Sequence, residues 1–238
     1  MRADAAERII CILPPDLDGK LRYFDAISGE NIACLDDLGG AIHATPAIFE
    51  QTDGTKCALV ASSTWTGRLS CIHLQHGTMT KLWYVDVWTP IYASPLIYAN
   101  GHDKQRKNCV ALFGAVDGAV RCVDLDNGTG SEVWKTSIGS SKPIFSGCIL
   151  VGKGSNEDGD TRSIIVGSHD GSVSSLSIND GSCIWRYQGI GSIVGTPAVV
   201  DGNSTDRCVQ LVVAGSTSGD VVCLDSKTGS VKKQLPKP

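Results

Sequence analysis

The residues best equipped for chemistry in this 238-residue chain are its ten cysteines, its five histidines and one acidic loop. Cysteines in Cys-x-x-Cys spacing would hold zinc or run disulfide exchange, because two sulfurs three positions apart can reach one metal ion or each other. No such spacing occurs. Cys71, Cys122 and Cys223 instead share one column of a repeated strand, and Cys57, Cys109 and Cys208 lie just before or within another. That placement suits a small buried apolar side chain, so reduced structural thiols are expected.

The acidic loop Asn156-Glu157-Asp158-Gly159-Asp160 invites a calcium reading. Hard cations need several oxygens at fixed positions and a distal glutamate, and this spacing misses that template. A solvated loop is the better expectation. Adenylation or phosphate transfer would need a glycine loop of the GxxxxGK[ST] kind opening a helix. The Gly-rich pieces here are strand turns, so no catalytic residue, metal or cofactor is expected. The binding candidates are aromatic: His43 and Tyr92 share one column with Phe145 and Val194. Trp65, Trp88 and His169 break the repeat in or near turns, where binding residues concentrate.

The elements that must position these side chains are strands. From Ile165 to Trp185 the chain reads as three strand runs separated by Asp-Gly turns, the pattern of an antiparallel meander. Aligned on Gly19, Gly67, Gly118, Gly171 and Gly219 it occurs five times, at spacings of 48, 51, 53 and 48 residues. A period near 50 residues with four strands is a propeller-blade period. Two residues after each glycine stand Leu21, Leu69, Val120, Val173 and Val221. Four after stand Tyr23, Cys71, Cys122, Ser175 and Cys223; five after, Phe24, Ile72, Val123, Leu176 and Leu224. Ten after comes Gly29, Gly77, Gly181 or Gly229, with Asn127-Gly128 standing in once. Trp83, Trp134 and Trp185 end the next strand in three copies and are expected in the core.

These columns divide the chain into a partial blade, 9–38, and four complete blades, 41–87, 90–136, 142–188 and 191–235. Each complete blade is expected to open on an Ile-x-x-Thr/Ser-Pro strand (Cys148 replaces the proline once), with Thr45, Ser94 and Thr196 bonded to neighbouring blades. Hydrophobic residues at 42% and charged residues at 19% place the chain among folded proteins. A net charge of −4 provides no field for nucleic acid or anionic membrane. The charged start MRADAAER and the five-residue apolar run after it are too short for an export signal, so a cytoplasmic setting is expected.

The columns Gly-x-Leu/Val-x-Ala/Cys-Leu-Asp, then Thr/Ser-Gly, then Trp, are clearest in SGDVVCLDSKTG, DGKLRYFDAISG and Ile165–Trp185. They resemble the pyrroloquinoline-quinone-like (PQQ-like) propeller repeat over nearly the whole chain. The resemblance implies an all-β propeller whose tryptophans pack between blades. Three groups share that repeat: quinone-dependent dehydrogenases, scaffold proteins of the outer-membrane assembly lipoprotein type, and acyl-activating enzymes with a C-terminal propeller. The dehydrogenases use an aspartate base, calcium ligands and often an adjacent cysteine pair, and no Cys-Cys pair occurs here. The chain looks most like the third group, the β-alanine-activating (aminoadipate-semialdehyde-dehydrogenase-like) enzymes resembling acyl-CoA synthetase family member 4. That implies a non-catalytic interaction module whose partners are the parent enzyme's other domains or another protein. Propellers of this repeat close with seven or eight blades, so an incomplete ring is expected. Its free faces should carry Leu21, Tyr23 and Phe24 on the first blade and Val221, Cys223 and Leu224 on the last.

Overall fold

A computed structural model describes residues 10–13, 17–51, 53–63, 65–75, 77–99, 109–138, 140–152, 162–201 and 210–235. Short β-rich runs between positive-φ glycines can pair only with their immediate neighbours, and every sheet is a meander. β1 (Ile10–Leu13), β2 (Leu21–Asp25) and β3 (Asn31–Leu35) form a three-stranded antiparallel sheet. The second sheet joins β4 (Ala47–Glu50), β5 (Lys56–Ser62), β6 (Arg68–Gln75) and β7 (Thr78–Asp86). The third joins β8 (Leu96–Ala99), β9 (Cys109–Gly114), β10 (Ala119–Asp124) and β11 (Glu132–Ser137). The fourth joins β12 (Ile149–Val151), β13 (Ser163–Gly167), β14 (Ser172–Ser177) and β15 (Cys183–Gln188). The fifth joins β16 (Ala198–Asp201), β17 (Gln210–Gly215), β18 (Val221–Asp225) and β19 (Val231–Leu235). No helix occurs among the described residues. The sheets are the blades of an incomplete propeller ring.

Side chains alternate across a strand, so each blade has two faces to bury. The core therefore lies between blades, as one apolar cluster at each of the four junctions. Leu21, Ala58, Val60 and Ile72 join blades one and two. Leu69, Cys71, Trp83, Phe113 and Val123 join two and three. Val120, Trp134, Ile164 and Leu176 join three and four, and Val173, Trp185, Val212 and Leu224 join four and five. In every blade the register shifts just after the fourth residue of the third-strand column, at Tyr23, Cys71, Cys122, Ser175 and Cys223. These β-bulges bend the outer strand and raise its twist at the position the tryptophans occupy.

Each tryptophan lies against a glycine of the next blade. A Cβ on Gly130 would fall 2.5 Å from Trp83, one on Gly181 2.4 Å from Trp134, and one on Gly229 2.5 Å from Trp185. Two indoles also donate across the junction, Trp134 Nε1 to Ile178 O at 3.1 Å and Trp185 Nε1 to Ser226 O at 2.9 Å. Trp83 Nε1 is buried without a partner among the described residues.

The glycine under Trp83 is Gly130, two residues after the column glycine Gly128, because the third blade's hairpin is longer. Two expectations are corrected by the structure. The Ile-x-x-Thr/Ser-Pro stretches are not strands: pairing starts only after the proline, at Ala47, Leu96 and Ala198. The free faces follow the alternation, which three consecutive residues cannot all share. Leu21 and Tyr23 are buried toward the second blade and Leu224 toward the fourth, leaving Phe24 half-buried on the first blade and Val221 and Cys223 half-buried on the last.

Gly29 and Gly181 have almost the same φ, 72° and 71°, but no described atom lies within 4 Å of a Cβ on Gly29. Both alanine variants therefore carry the same backbone strain, and only Gly181→Ala should also push a blade off its neighbour. In urea melts Gly181→Ala should cost clearly more than Gly29→Ala, and Trp134→Ala or Trp185→Ala about 3–5 kcal/mol each. Equal costs for the two glycines would show that the tryptophan contact does not hold the blades together.

Candidate functional site

Between the outer strand of one blade and the innermost strand of the next, each Ile-x-x-Thr/Ser-Pro stretch is pinned by its isoleucine. Ile42, Ile91, Ile144 and Ile193 are all buried. Ile144 and Ile193 sit against Gly114 and Gly167 of the preceding blade, where a Cβ would fall 2.1 Å and 2.5 Å from them. Their amides donate to Ala115 O at 3.1 Å and Ser168 O at 3.2 Å. With the isoleucine turned inward, the next side chain turns outward, and three of these form a continuous aromatic ladder. His43 meets Tyr92 with ring centroids 4.9 Å apart, and Tyr92 meets Phe145 at 5.7 Å. Phe145 meets His169 edge-on at 5.6 Å.

Hydroxyls bind the stretches to each other. Thr45 N–H donates to Ser94 Oγ and Gly147 N–H to Thr196 Oγ1, each at 2.9 Å, as the sequence predicts for Ser94 and Thr196. Gly147 itself has no hydroxyl to add to that series. His169 reaches the ladder from the turn between β13 and β14, where its amide donates to Pro143 O at 3.0 Å.

The neighbouring Asp170 organises that turn. It accepts from Arg186 Nη2 at 2.7 Å, from Ser172 N–H at 2.9 Å and from Ser140 N–H, in the loop leaving the third blade, at 3.2 Å. Burial raises this carboxyl's pKa, but the hydrogen bonds from Ser172, Ser140 and Ser168 outweigh it and hold the group below its ordinary value of 3.8.

Trp65 and Trp88 are not in the ladder. They sit beside the bonded pair Thr66–Thr89, in which Thr89 N–H donates to Thr66 O at 2.9 Å. Trp65 is 96% exposed, and Trp88 is 78% exposed with φ at 62°. A bulky residue in the left-handed region is strained, and no burial offsets that strain here. Nearby, Arg68 lies over the Tyr84 ring at 4.0 Å and pairs with Asp86 at 2.8 Å.

Of the five sequence candidates, then, His43, Tyr92 and His169 share one ladder, and Trp65 and Trp88 form a second, largely exposed aromatic station. Phe145 was visible only as a column member, yet it links Tyr92 to His169. Such rings present faces and edges for packing, and the imidazole and phenol groups among them supply hydrogen-bonding atoms. Among the described residues no three His, Cys, Asp or Glu side chains come together to hold a metal ion. The loop Asn156–Asp160 lies outside those residues, as does Cys208. Burial pushes the Cys122 and Cys148 thiols up to about 12, which makes them poor nucleophiles, while the hydrogen bond between Cys71 and Cys57 raises Cys71 and lowers Cys57.

Two variants test this description. A depressed carboxyl pKa adds stability that is complete above 3.8 and is lost as pH falls through the lower folded value. Asp170→Asn should therefore destabilise the protein at pH 7, with the gap to wild type narrowing as pH falls below the carboxyl's ordinary value of 3.8. A gap that stays constant with pH would remove the carboxylate from the account. Trp88→Gly relieves the backbone and gives up no buried contact, so its melting midpoint should match wild type or exceed it slightly, within about 1 kcal/mol. A clear loss would show that the indole packs.

Comparison with known proteins adds family and fold. A PQQ-type family model described as outer membrane protein assembly factor BamB matches residues 82–237. The Danio rerio beta-alanine-activating enzyme is 37% identical over 75 residues, which is 32% of this chain and 6% of that protein. BamB from Moraxella catarrhalis superposes with a TM-score of 0.63 at 19% identity, covering 93% of this chain and 56% of that one. Saccharomyces cerevisiae Sqt1 gives 0.68 at 14%, covering 93% and 58%. Chaetomium thermophilum Sqt1, solved bound to the N-terminus of a ribosomal protein, gives 0.65 at 14%, covering 94% and 57%. The chain thus spans a small part of the curated relative and little more than half of each solved propeller.

Proposed function

The chain belongs to the PQQ-like repeat family, and from that premise we propose that it is a non-catalytic interaction module of a cytoplasmic, acyl-activating enzyme of the β-alanine-activating type. Its binding surface is the loop end that carries the aromatic ladder and the two exposed tryptophans. The observation that carries this reading is Trp88: a large apolar side chain held in a strained backbone and left in water. Strain that packing does not explain marks a functional position, and tryptophan is the side chain most enriched at interface hot spots. The solved Sqt1 that holds a protein N-terminus supports a protein partner for a propeller of this shape, and the match to the beta-alanine-activating enzyme supports the acyl-activating setting.

The test is direct binding. The purified chain is titrated with the Danio rerio beta-alanine-activating enzyme lacking its own propeller, by calorimetry. We expect saturable binding that falls at least tenfold, about 1.4 kcal/mol, in the double variant Trp65→Ala/Trp88→Gly, whose fold is intact by melting. No binding, or equal binding by the variant, would overturn the proposal. So would a near-UV quinone chromophore with alcohol or aldose turnover when quinone and calcium are added.

A further inference from the structure

The residue before the hairpin glycine is Ser28, His76, Asp180 or Thr228 in four blades, and Asn127 in the third. An asparagine followed by glycine can react with itself. The glycine nitrogen attacks the side-chain amide carbon, and no Cβ on residue 128 obstructs the approach. A hairpin ordinarily prevents this by engaging that nitrogen in a backbone hydrogen bond. In the first, fourth and fifth blades it is engaged: Gly29 N–H donates to Asp25 O at 2.8 Å, Gly181 N–H to Ser177 O at 2.9 Å and Gly229 N–H to Asp225 O at 2.9 Å. In the longer hairpin of the third blade Gly128 N–H donates to no acceptor among the described residues.

The amide that would be attacked is held for it. Asn127 Oδ1 accepts from Thr129 N–H at 2.8 Å, Thr129 Oγ1–H at 2.9 Å and Gly130 N–H at 3.1 Å, and Asn127 Nδ2 donates to Ser131 Oγ. Two backbone N–H groups on one atom fix that end of the amide as the oxygen. Three donors draw electrons away from Cγ, and they strengthen as the oxygen takes on negative charge during attack. On the other side of the turn Asp124 Oδ1 accepts from Asp126 N–H at 2.8 Å and Asn127 N–H at 3.3 Å. Asn127, Gly128 and Thr129 are exposed, so water reaches the product.

We propose that Asn127-Gly128 is a self-modifying site, at which the native hairpin turns asparagine into isoaspartate and so loosens the junction of blades two and three. The Gly128 nitrogen bonds to Asn127 Cγ and gives its proton to solvent. The bond from Cγ to the side-chain nitrogen breaks, and that nitrogen takes up a proton and leaves as ammonia. Water then opens the cyclic imide at either carbonyl. One opening gives aspartate; the other gives isoaspartate, whose main chain runs through Cβ and is longer by one methylene. The only co-reactant is water, and nothing is oxidised or reduced. Either acid adds a charge beside Asp124 and Asp126. The added methylene lies just before Gly130, on which Trp83 rests so closely that even a Cβ would fall 2.5 Å from it. The site is separate from the aromatic ladder and does not rest on the function proposed for it.

The test incubates the whole chain at pH 7, native and unfolded in urea, and follows the Asn127 peptide by mass. Electron-transfer fragmentation separates isoaspartate from aspartate. Asn127 should convert faster in the native protein than in urea, by roughly threefold or more, and Thr129→Val, which removes one of the three donors, should lose most of that advantage at an unchanged melting midpoint. The isoaspartate fraction, isolated by ion exchange, should melt below the Asn127→Asp variant, which carries the same charge without the added main-chain atom. Conversion in the native protein at a rate equal to or below that in urea would overturn the proposal. So would an isoaspartate fraction as stable as Asn127→Asp, because the longer main chain would then leave the junction intact.

Discussion

Three of the four blade junctions depend on one contact, the stacking of an outer-strand indole on a glycine of the next blade. A four-stranded sheet is too thin to have an interior, so its stability is the sum of what its two faces bury. A tryptophan buries roughly 150–250 Å² and can only do so if the opposing backbone comes close, which requires the absence of a Cβ. Gly130, Gly181 and Gly229 provide that approach, and the two indole hydrogen bonds fix the rotation of each blade about the contact. The bulge beside each tryptophan position supplies the twist that aims it.

Once the blades are fixed, the loops at one end are fixed too. The buried isoleucines anchor them, and Ile144 and Ile193 repeat the same device on a smaller scale, each seated against a glycine of the preceding blade. Their outward neighbours are then spaced by the blade geometry rather than by any contact of their own. Four rings from three blades consequently line up at centroid separations between 4.9 and 5.7 Å. The rigid scaffold carries variable side chains at constant intervals, which suits recognition more than catalysis.

The architecture was legible in the sequence because the repeat forces it. Strand limits such as Leu21–Asp25 and Asn31–Leu35 follow from turn glycines on either side. What the columns concealed was direction. Leu21 and Phe24 look alike as apolar residues, and only the alternation tells which blade each faces. Gly128 matched the turn-based count, yet the tryptophan selects Gly130, because a longer hairpin leaves the packing partner at a constant distance from the indole. The site was half legible. Each ladder member was visible as an outlier or a column residue, but their mutual contact depends on loops meeting across blades. The strain at Trp88 leaves no mark in the sequence at all.

The most direct test uses the five indole N–H groups as reporters, followed by amide and indole hydrogen exchange in one ¹H–¹⁵N spectrum of the uniformly labelled protein. Trp134 and Trp185 should exchange slowest, because each donates to a carbonyl of the next blade, with Trp83 buried but unpaired in between. Trp65 and Trp88 should exchange at the rate of free indole. Similar protection at all five, or fast exchange at Trp134 and Trp185, would contradict the blade-on-blade account.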